Sequence, residues 1–363
     1  MGFARAFENV FRTILSSSAL ASTTILAVIL YGFYYPAPYA HQSARRLPVV
    51  VVDLEHSGLT RALVRKLGDM REVRIVAEAG SAGEAEALVR RRVADGILLL
   101  PRGLGRSLWT GAPGGGIAIW VNGTYLLRAR DIGASVQGAV LGVVRDRLGP
   151  LARGLHLEPP VQVVRRPLFN TREGYADYVF PAVAAVILQQ TLLFGSAMLI
   201  AGRREQGAPG MGRMAFLGTW CALGVIGLCG ALLYFGWIYW FQDMPRGQNI
   251  AGLFVAVPLF AAAVTALGML IGSFLDRADR AMQVLVPTSI LLFFLSGAAW
   301  PLSSMPGWVA ALARLSPATW GMESFVRLNE MGASLADILP QLAGLAFLAL
   351  AYGALACRRL ARA

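Results

Sequence analysis

The chain has 363 residues, of which 56% are hydrophobic and only 15% charged. Soluble domains carry about 25% charged residues, so this composition excludes an ordinary soluble protein and indicates a membrane protein. The formal net charge is +12. Because the sequence has no basic stripe interleaved with aromatic residues, we attribute the excess to arginines at a bilayer surface and expect no nucleic-acid partner.

The N-terminus predicts an amphipathic helix followed by a membrane span. Residues 1–12 carry apolar side chains at helical spacing, which is typical of a helix lying on a membrane surface. The alternative is that this segment is only the start of the first span. Residues 13–35 are long enough to cross a bilayer and indicate a retained anchor and not a cleaved signal peptide. The apolar face consists of Phe3, Phe7, Val10, Phe11 and Ile14.

Residues 41–171 have the composition of a soluble domain and carry most of the charge. Short apolar runs alternate with amphipathic stretches, which predicts a small α/β domain. Ser81 and Glu84 form a capping box before one of its helices. We expect strands at 49–53, 73–78, 96–101, 117–122 and 161–166, and helices at 59–67, after Ser81, and at 126–148.

Residues 179–357 return to membrane character and predict five further spans, followed by a tail at 358–363. The fold class is therefore membrane α-helical, with six transmembrane helices and an extracytoplasmic α/β domain inserted between the first and the second. We expect the five spans at about 179–200, 214–240, 250–274, 282–296 and 338–357.

Arginine in the short loops predicts the orientation of the chain. With six spans, nearly all of these arginines fall on one side, and the opposite short loop carries only Arg246. The positive-inside rule then places both termini in the cytoplasm and the α/β domain outside. The arginines on the predicted cytoplasmic side are Arg5, Arg12, Arg203, Arg204, Arg213, Arg277, Arg280, Arg358, Arg359 and Arg362.

The sequence carries no motif for ATP hydrolysis of its own. The single lysine, Lys66, follows Arg65 and not a glycine, so no phosphate-binding loop is present. Asp53, Glu55, His56 and Ser57 lie close together and could form an acid–base fragment, but a polar loop in which Ser57 caps the next helix is the simpler interpretation.

The predicted spans have no charge at their centres, which argues against proton- or sodium-coupled transport. Gln189 and Gln190 are the most polar pair inside a span, and they indicate either a helix–helix contact or a substrate pathway. Gly268 and Gly272 have the GxxxG spacing, which is only a weak signal for helix association.

Three stretches resemble the ABC-2 type transporter permease family, in particular the branch with one N-terminal span, a large external domain and five further spans. The start of the external domain (residues 49–67, with 94–104) is similar, and GRREQG at 202–207 resembles the family's R-E-x-G loop after the second span. The most specific match is SG-x-x-x-P…MP…LSP within 296–320. Ala208 and Pro209 depart from the pattern, since the family commonly has threonine there.

The resemblance implies the permease half of an ATP-binding-cassette exporter. Its implied partners are cytoplasmic ATPase subunits that bind ATP and Mg²⁺, a second permease copy or homologue, the lipid bilayer and a possible periplasmic adaptor; this chain itself would hold no cofactor or metal. The implied ATPase-coupling residues are Phe7, Phe11, Arg203, Arg204, Glu205 and Gly207. Residues 301–320 would form a re-entrant element, and the implied substrate-pathway or outer-gate residues are Gln189, Gln190, Pro301, Pro306 and Trp308.

These features predict a permease subunit in the inner (cytoplasmic) membrane of the cell that moves an amphiphilic or hydrophobic molecule outward and is not itself an enzyme. Two alternatives belong to other classes. A membrane-anchored scaffold or sensor would use the α/β domain to bind a partner, and a lipid-modifying enzyme would need interfacial carboxylates, for which Asp177 and Asp243 are the candidates.

Overall fold

The computed structural model describes residues 2–39, 46–91, 93–106, 117–121, 126–154, 175–244 and 249–362. The chain divides into two units, which we describe separately. One comprises Met1–Ala40 with Pro167–Ala363, and the other comprises His41–Arg166.

The unit from His41 to Arg166 is built on a four-stranded sheet. Its strand order is β2-β1-β3-β4, in which β1 pairs in parallel with β2 and β3, and β4 is antiparallel to β3. The predicted strand at 161–166 lies outside the described residues. The elements are β1 (Leu47–Asp53), α3 (Gly58–Gly68), β2 (Val73–Glu78), α4 (Ala82–Arg90), β3 (Gly96–Leu100), β4 (Ala118–Val121) and α5 (Leu126–Gly154). The first two helices of the chain, α1 (Phe3–Ser16) and α2 (Ser18–Tyr34), belong to the other unit.

The valine run of β1 is buried on both faces of the sheet. Val49 and Val51 pack in the core on the side of α3 and α5, whereas Val50 and Val52 pack on the side of α4. All four are fully buried. A central parallel strand is covered by helices on both faces, which is why β1 has an uninterrupted apolar run from Val49 to Val52 instead of an alternating pattern.

The other unit is helical, and its described residues contain five helices that are long and apolar enough to cross a membrane, or up to six if a bent N-terminal pair counts as one span. These findings agree with the coarse prediction of a multi-span helical protein with a small sheet. The helices are α1 (Phe3–Ser16), α2 (Ser18–Tyr34), α6 (Tyr175–Glu205), α7 (Arg213–Phe241), α8 (Ile250–Gly272), α9 (Ala278–Leu295), α10 (Gly307–Ala313), α11 (Pro317–Asn329) and α12 (Leu339–Arg362).

The N-terminal boundary differs from the prediction. The first helix continues to Ser16, and a bend of 94° separates it from α2. Ser17 takes an extended conformation, and its side chain accepts a hydrogen bond from the Leu20 backbone N–H, so it caps the start of α2. The predicted division after residue 12 is therefore four residues too early.

Helix α11 was not predicted. The chain turns after α9 at Gly297, where φ is +91°, and passes through a 3₁₀ turn and α10 before α11 begins. Pro317 occupies the first turn of α11, where its missing N–H costs nothing. Helix α11 packs against α6, α8 and α12, so this polar-containing helix is covered by protein.

Helix α8 lies at the centre of the unit and packs against α6, α7, α11 and α12. Its contact with α6 is close because two glycines face that helix. A Cβ on Gly268 would lie 2.6 Å from the Ser196 Cβ, and a Cβ on Gly272 would lie 2.6 Å from the Ala197 carbonyl oxygen. The GxxxG spacing is thus used within the chain, where small residues let two helix backbones approach.

Candidate functional site

The arginine-bearing ends of α6 and α12 meet the end of α8 at one end of the membrane unit. Arg204 donates from Nη1 to the Ser273 carbonyl at the end of α8, and Arg359 donates to the same carbonyl from Nε at 3.2 Å. Arg359 also lies over the Phe274 ring, 3.8 Å from its centroid. Positive groups complement the negative end of a helix, so both arginines stabilise the end of α8.

Glu205 joins α6 to the start of α9 at the same place. Its Oε2 accepts a hydrogen bond from the Ala278 backbone N–H at 3.1 Å, and its Oε1 lies 4.0 Å from Arg277 Nε. A carboxylate at a helix N-terminus satisfies an N–H that the helix itself cannot, and it favours the positive end of the dipole. We call Arg204, Glu205, Ser273, Ala278 and Arg359 the loop junction.

Gly207 ends α6 in a Schellman motif. Its φ is +65°, its N–H donates to the Arg204 carbonyl at 2.9 Å, and the Ala208 N–H donates to the Arg203 carbonyl at 3.0 Å. This left-handed conformation costs a residue with a Cβ about 1–2 kcal/mol, which explains glycine here. The motif turns the chain toward α12, where the Met211 N–H donates to the Leu360 carbonyl at 2.8 Å.

Helix α1 lies at the same end as the loop junction, because it packs against the first turns of α7. Ala6, Val10 and Ile14 form its buried face, and the Gly218 position is so close to the Phe3 backbone that no side chain fits there. Phe7 and Phe11 are half-buried with ring centroids 5.3 Å apart. The structure thus gathers Phe7, Phe11, Arg204, Glu205 and Gly207 at one end of the unit.

Gln189 is fully buried and caps α11. Its Oε1 accepts a hydrogen bond from the Ala318 backbone N–H at 2.6 Å, and the Ser316 hydroxyl lies 3.1 Å from both its Oε1 and its Nε2. Ser316 and Pro317 belong to the LSP triplet of the sequence, so this triplet is held to α6 by Gln189. Gln189 could belong to a helix–helix contact or to a substrate pathway, and these contacts favour the helix–helix contact.

Replacing Gln189 by leucine should destabilise the protein by about 2–4 kcal/mol, because two buried polar groups at the start of α11 lose their partner. Gln190→Leu is the matched control. Both amide atoms of Gln190 are buried with no hydrogen-bond partner among the described residues, so its loss should be neutral or stabilising. Thermal unfolding in detergent measures both variants, and equal losses would contradict the capping role.

The remaining predicted gate residues lie apart from this cap. Pro301 and Pro306 are exposed and precede the 3₁₀ turn and α10, respectively. Trp308 is 71% exposed. The contacts of the segment therefore link Gln189 to the start of α11, and they leave the three bend residues on the surface of the isolated chain.

The opposite end of the unit buries carboxylates that the sequence did not single out together. Asp177 is fully buried in the first turn of α6, and Glu330 is half-buried at the C-cap position of α11. Burial, and secondly the nearby Asp177 charge, raise the pKa of Glu330 from 4.5 to about 8. The sequence offered Asp177 and Asp243 as the carboxylates of a lipid-modifying enzyme and did not indicate Glu330. Glu330 lies at the end of a short polar helix, which has no periodic sequence pattern.

The raised pKa of Glu330 predicts that stability falls as pH rises. Folded protein keeps Glu330 protonated up to about pH 8, whereas the unfolded chain loses the proton near 4.5, so the stabilisation is complete below 4.5 and is lost by about 8. Between pH 6 and 8 the loss should be about 2–3 kcal/mol, at about 1.4 kcal/mol per unit. Glu330→Gln should flatten this profile of stability against pH in thermal unfolding.

The control is Glu323→Gln, on the same helix, which should leave the slope of the profile unchanged. A wild-type profile without a slope would refute the prediction.

The acidic segment after β1 forms a structural loop. Asp53 Oδ1 accepts the backbone N–H groups of Glu55 and His56 at 3.0 and 2.9 Å, and the Glu55 carboxylate accepts those of Gly103 and Gly105. Ser57 caps α3 in a reciprocal pair with Thr60. These contacts support the polar-loop interpretation, because backbone N–H groups engage both carboxylates.

A family model described as ABC-2 family transporter protein matches residues 18–358, which is most of the chain. A search of curated proteins finds no match.

Proposed function

The chain belongs to the ABC-2 family of transporter proteins, and from this membership we propose that it carries an amphiphilic or hydrophobic molecule out of the cytoplasm or the inner leaflet. Membership makes it the multi-pass permease component of an ABC transporter, a class of subunit that works with an ATPase. Export, the class of substrate and the location in an inner membrane with both termini cytoplasmic are our proposals. ATP and Mg²⁺ would bind in the ATPase chain.

The loop junction is the observation that supports this proposal. It ties the end of α6, the end of α8, the start of α9 and the end of α12 together through Arg204, Glu205 and Arg359. A force applied by an ATPase to the 203–207 loop would therefore reach three further helices directly. Phe7 and Phe11, packed beside α7, would extend the same docking surface. Ridge-and-groove packing between α6 and α8 would pass the displacement along the spans.

A pair of permease halves would complete the transporter, since an outward path between helices needs a second wall. We propose a homodimer or a pair with a related chain, with a periplasmic adaptor as a further possible subunit. Gln190, Pro301, Pro306 and Trp308 remain our candidates for residues along the path or its outer gate.

The test is a gentle detergent purification of the tagged chain from its native membrane, with identification of the co-purifying subunits. A stoichiometric ATP-binding-cassette ATPase is the expected result. Proteoliposomes of the resulting complex should then show ATP-dependent movement of a fluorescent lipid or dye in one direction. A chain that elutes alone, or with extracytoplasmic partners only, from several detergents would overturn the proposal in favour of a membrane-anchored scaffold.

A further inference from the structure

A small pocket opens beside the end of α6. It has a volume of about 220 Å³ and lies between Arg203 and Arg204, the turn after Gly207, and the end of α12. Its apolar wall is made by Ile200, Met211 and Leu360, all of which are buried in the core of the membrane unit. The pocket therefore combines an apolar wall with two arginines where the spans end.

The charge of this pocket is not neutralised by its own residues. The guanidinium of Arg203 makes no hydrogen bond or ion pair within the part of the chain that the structure describes, whereas Arg204 uses Nη1 on the Ser273 carbonyl. The neighbouring carboxylate, Glu205, is engaged on the Ala278 N–H and does not line the pocket. Arg203 consequently presents its donors to the pocket without competition.

Two helix C-termini also approach the pocket, and each carries a partial negative charge of about half a unit. At α6 the carbonyls of Arg203 and Arg204 are already satisfied by the Schellman turn, and at α12 the Leu360 carbonyl accepts the Met211 N–H. Two whole positive charges therefore outweigh the two partial negative ones. Because these backbone carbonyls already accept hydrogen bonds, a ligand would be recognised by the arginine side chains and the apolar wall.

We propose that this pocket binds the phosphate group of an anionic phospholipid, with Arg203 as its principal ligand and Arg204 in support. Guanidinium groups bind phosphate through paired, charge-assisted hydrogen bonds. Basic pockets between membrane helices are established sites for anionic headgroups. Ile200, Met211 and Leu360 would form the apolar side of the site. A bound headgroup would bridge the Gly207 turn and α12, and would so stabilise the loop junction.

The experiment uses the full chain, stripped of lipid in a neutral detergent and titrated with phosphatidylglycerol. Thermal unfolding should shift upward by about 5–10 °C near saturation, and phosphatidylcholine should produce no such shift. Arg203→Gln should weaken the response to phosphatidylglycerol by about tenfold or more in half-saturating concentration. Arg203→Lys keeps the charge but loses the paired geometry, so its half-saturating concentration should lie between those of the wild type and Arg203→Gln.

Arg280→Gln is the matched control, because Arg280 lies in the first turn of α9, is paired with Asp276 at 2.8 Å and does not line the pocket. It should respond like the wild type. If Arg203→Gln and Arg280→Gln weaken the response to phosphatidylglycerol equally, the lipid responds to general surface charge, and this result would overturn the site. If inorganic phosphate alone produces an equal shift in thermal unfolding, the ligand of the pocket is a free anion and not a lipid. Loss of the co-purifying ATPase in Arg203→Gln, with an unchanged lipid response, would assign the pocket to a protein partner.

Discussion

Gly268→Ala combined with Gly272→Ala should destabilise the membrane unit by about 2–6 kcal/mol, the largest loss of stability that we expect from so small a chemical change. Folded membrane unit should largely disappear at temperatures that the wild-type protein tolerates, since the total stability of a protein is only about 5–15 kcal/mol.

The cause lies on the backbone of α6. A methyl group on Gly272 would stand 2.6 Å from the Ala197 carbonyl oxygen and 2.9 Å from the Ile200 Cβ, and one on Gly268 would stand 3.1 Å from the Leu193 carbonyl oxygen. A side chain can change rotamer, but these are main-chain atoms or atoms fixed to it. Helices α6 and α8 would therefore have to separate, and the Arg204 contact with Ser273 would be lost with them.

Gly224→Ala supplies the control, because Gly224 lies in α7 and a Cβ there meets nothing within 4 Å. Alanine is favoured over glycine in a helix by about 1 kcal/mol, so this variant should be neutral or slightly more stable. Size-exclusion chromatography after heating in detergent measures the folded fraction of each variant. A double variant as heat-resistant as Gly224→Ala would show that the close packing of α6 on α8 is not required.

Arg204→Ala combined with Glu205→Ala should lower substrate-stimulated ATP turnover of the assembled transporter by about tenfold. The two changes remove the direct links from the end of α6 to the end of α8 and to the start of α9. A coupling free energy of about 1.4 kcal/mol corresponds to a factor of ten. The stability cost should be small, about 1–2 kcal/mol, because both side chains are partly exposed.

Lys66→Ala with Asp146→Ala is the comparison for this pair. These residues form an exposed ion pair at 3.1 Å in the α/β unit, so the variant also removes one charge of each sign. Its turnover should equal that of the wild type. Unchanged turnover in the Arg204/Glu205 variant, with the ATPase still bound, would remove the coupling role of the junction. A loss of the ATPase itself would instead identify the junction as a docking contact.

Helices and strands whose environment is uniform were predictable from sequence. The strand at Val73–Glu78 and the span beginning at Ile250 match their predicted positions, because the strand is a short run rich in β-branched residues and the span is a long apolar run. The capping residues Ser57 and Ser81 were also predicted, since a cap depends on neighbours three residues away. The residues within and next to these elements were enough to predict them.

Features that depend on distant neighbours were not predictable in this way. Helix α11 contains Glu323, Arg327 and several small residues, and it resembles a loop until α6, α8 and α12 surround it. The partner of Gln189 lies 127 positions away, so its role as a cap could not be read from its own helix. The glycines of α8 gave the right spacing, but nothing local indicated that the facing helix belongs to the same chain.

The packing of α1 on α7 has a consequence for biosynthesis. Phe3 and Gly218 touch in the finished protein, yet the ribosome makes the second roughly 200 residues after the first, and translation at about 5–20 residues per second puts about 10–40 s between them. During that interval the buried face of α1, with Val10 and Ile14, has no α7 to cover it. A nascent chain arrested before Arg213 should therefore be the form most dependent on a membrane surface or a chaperone.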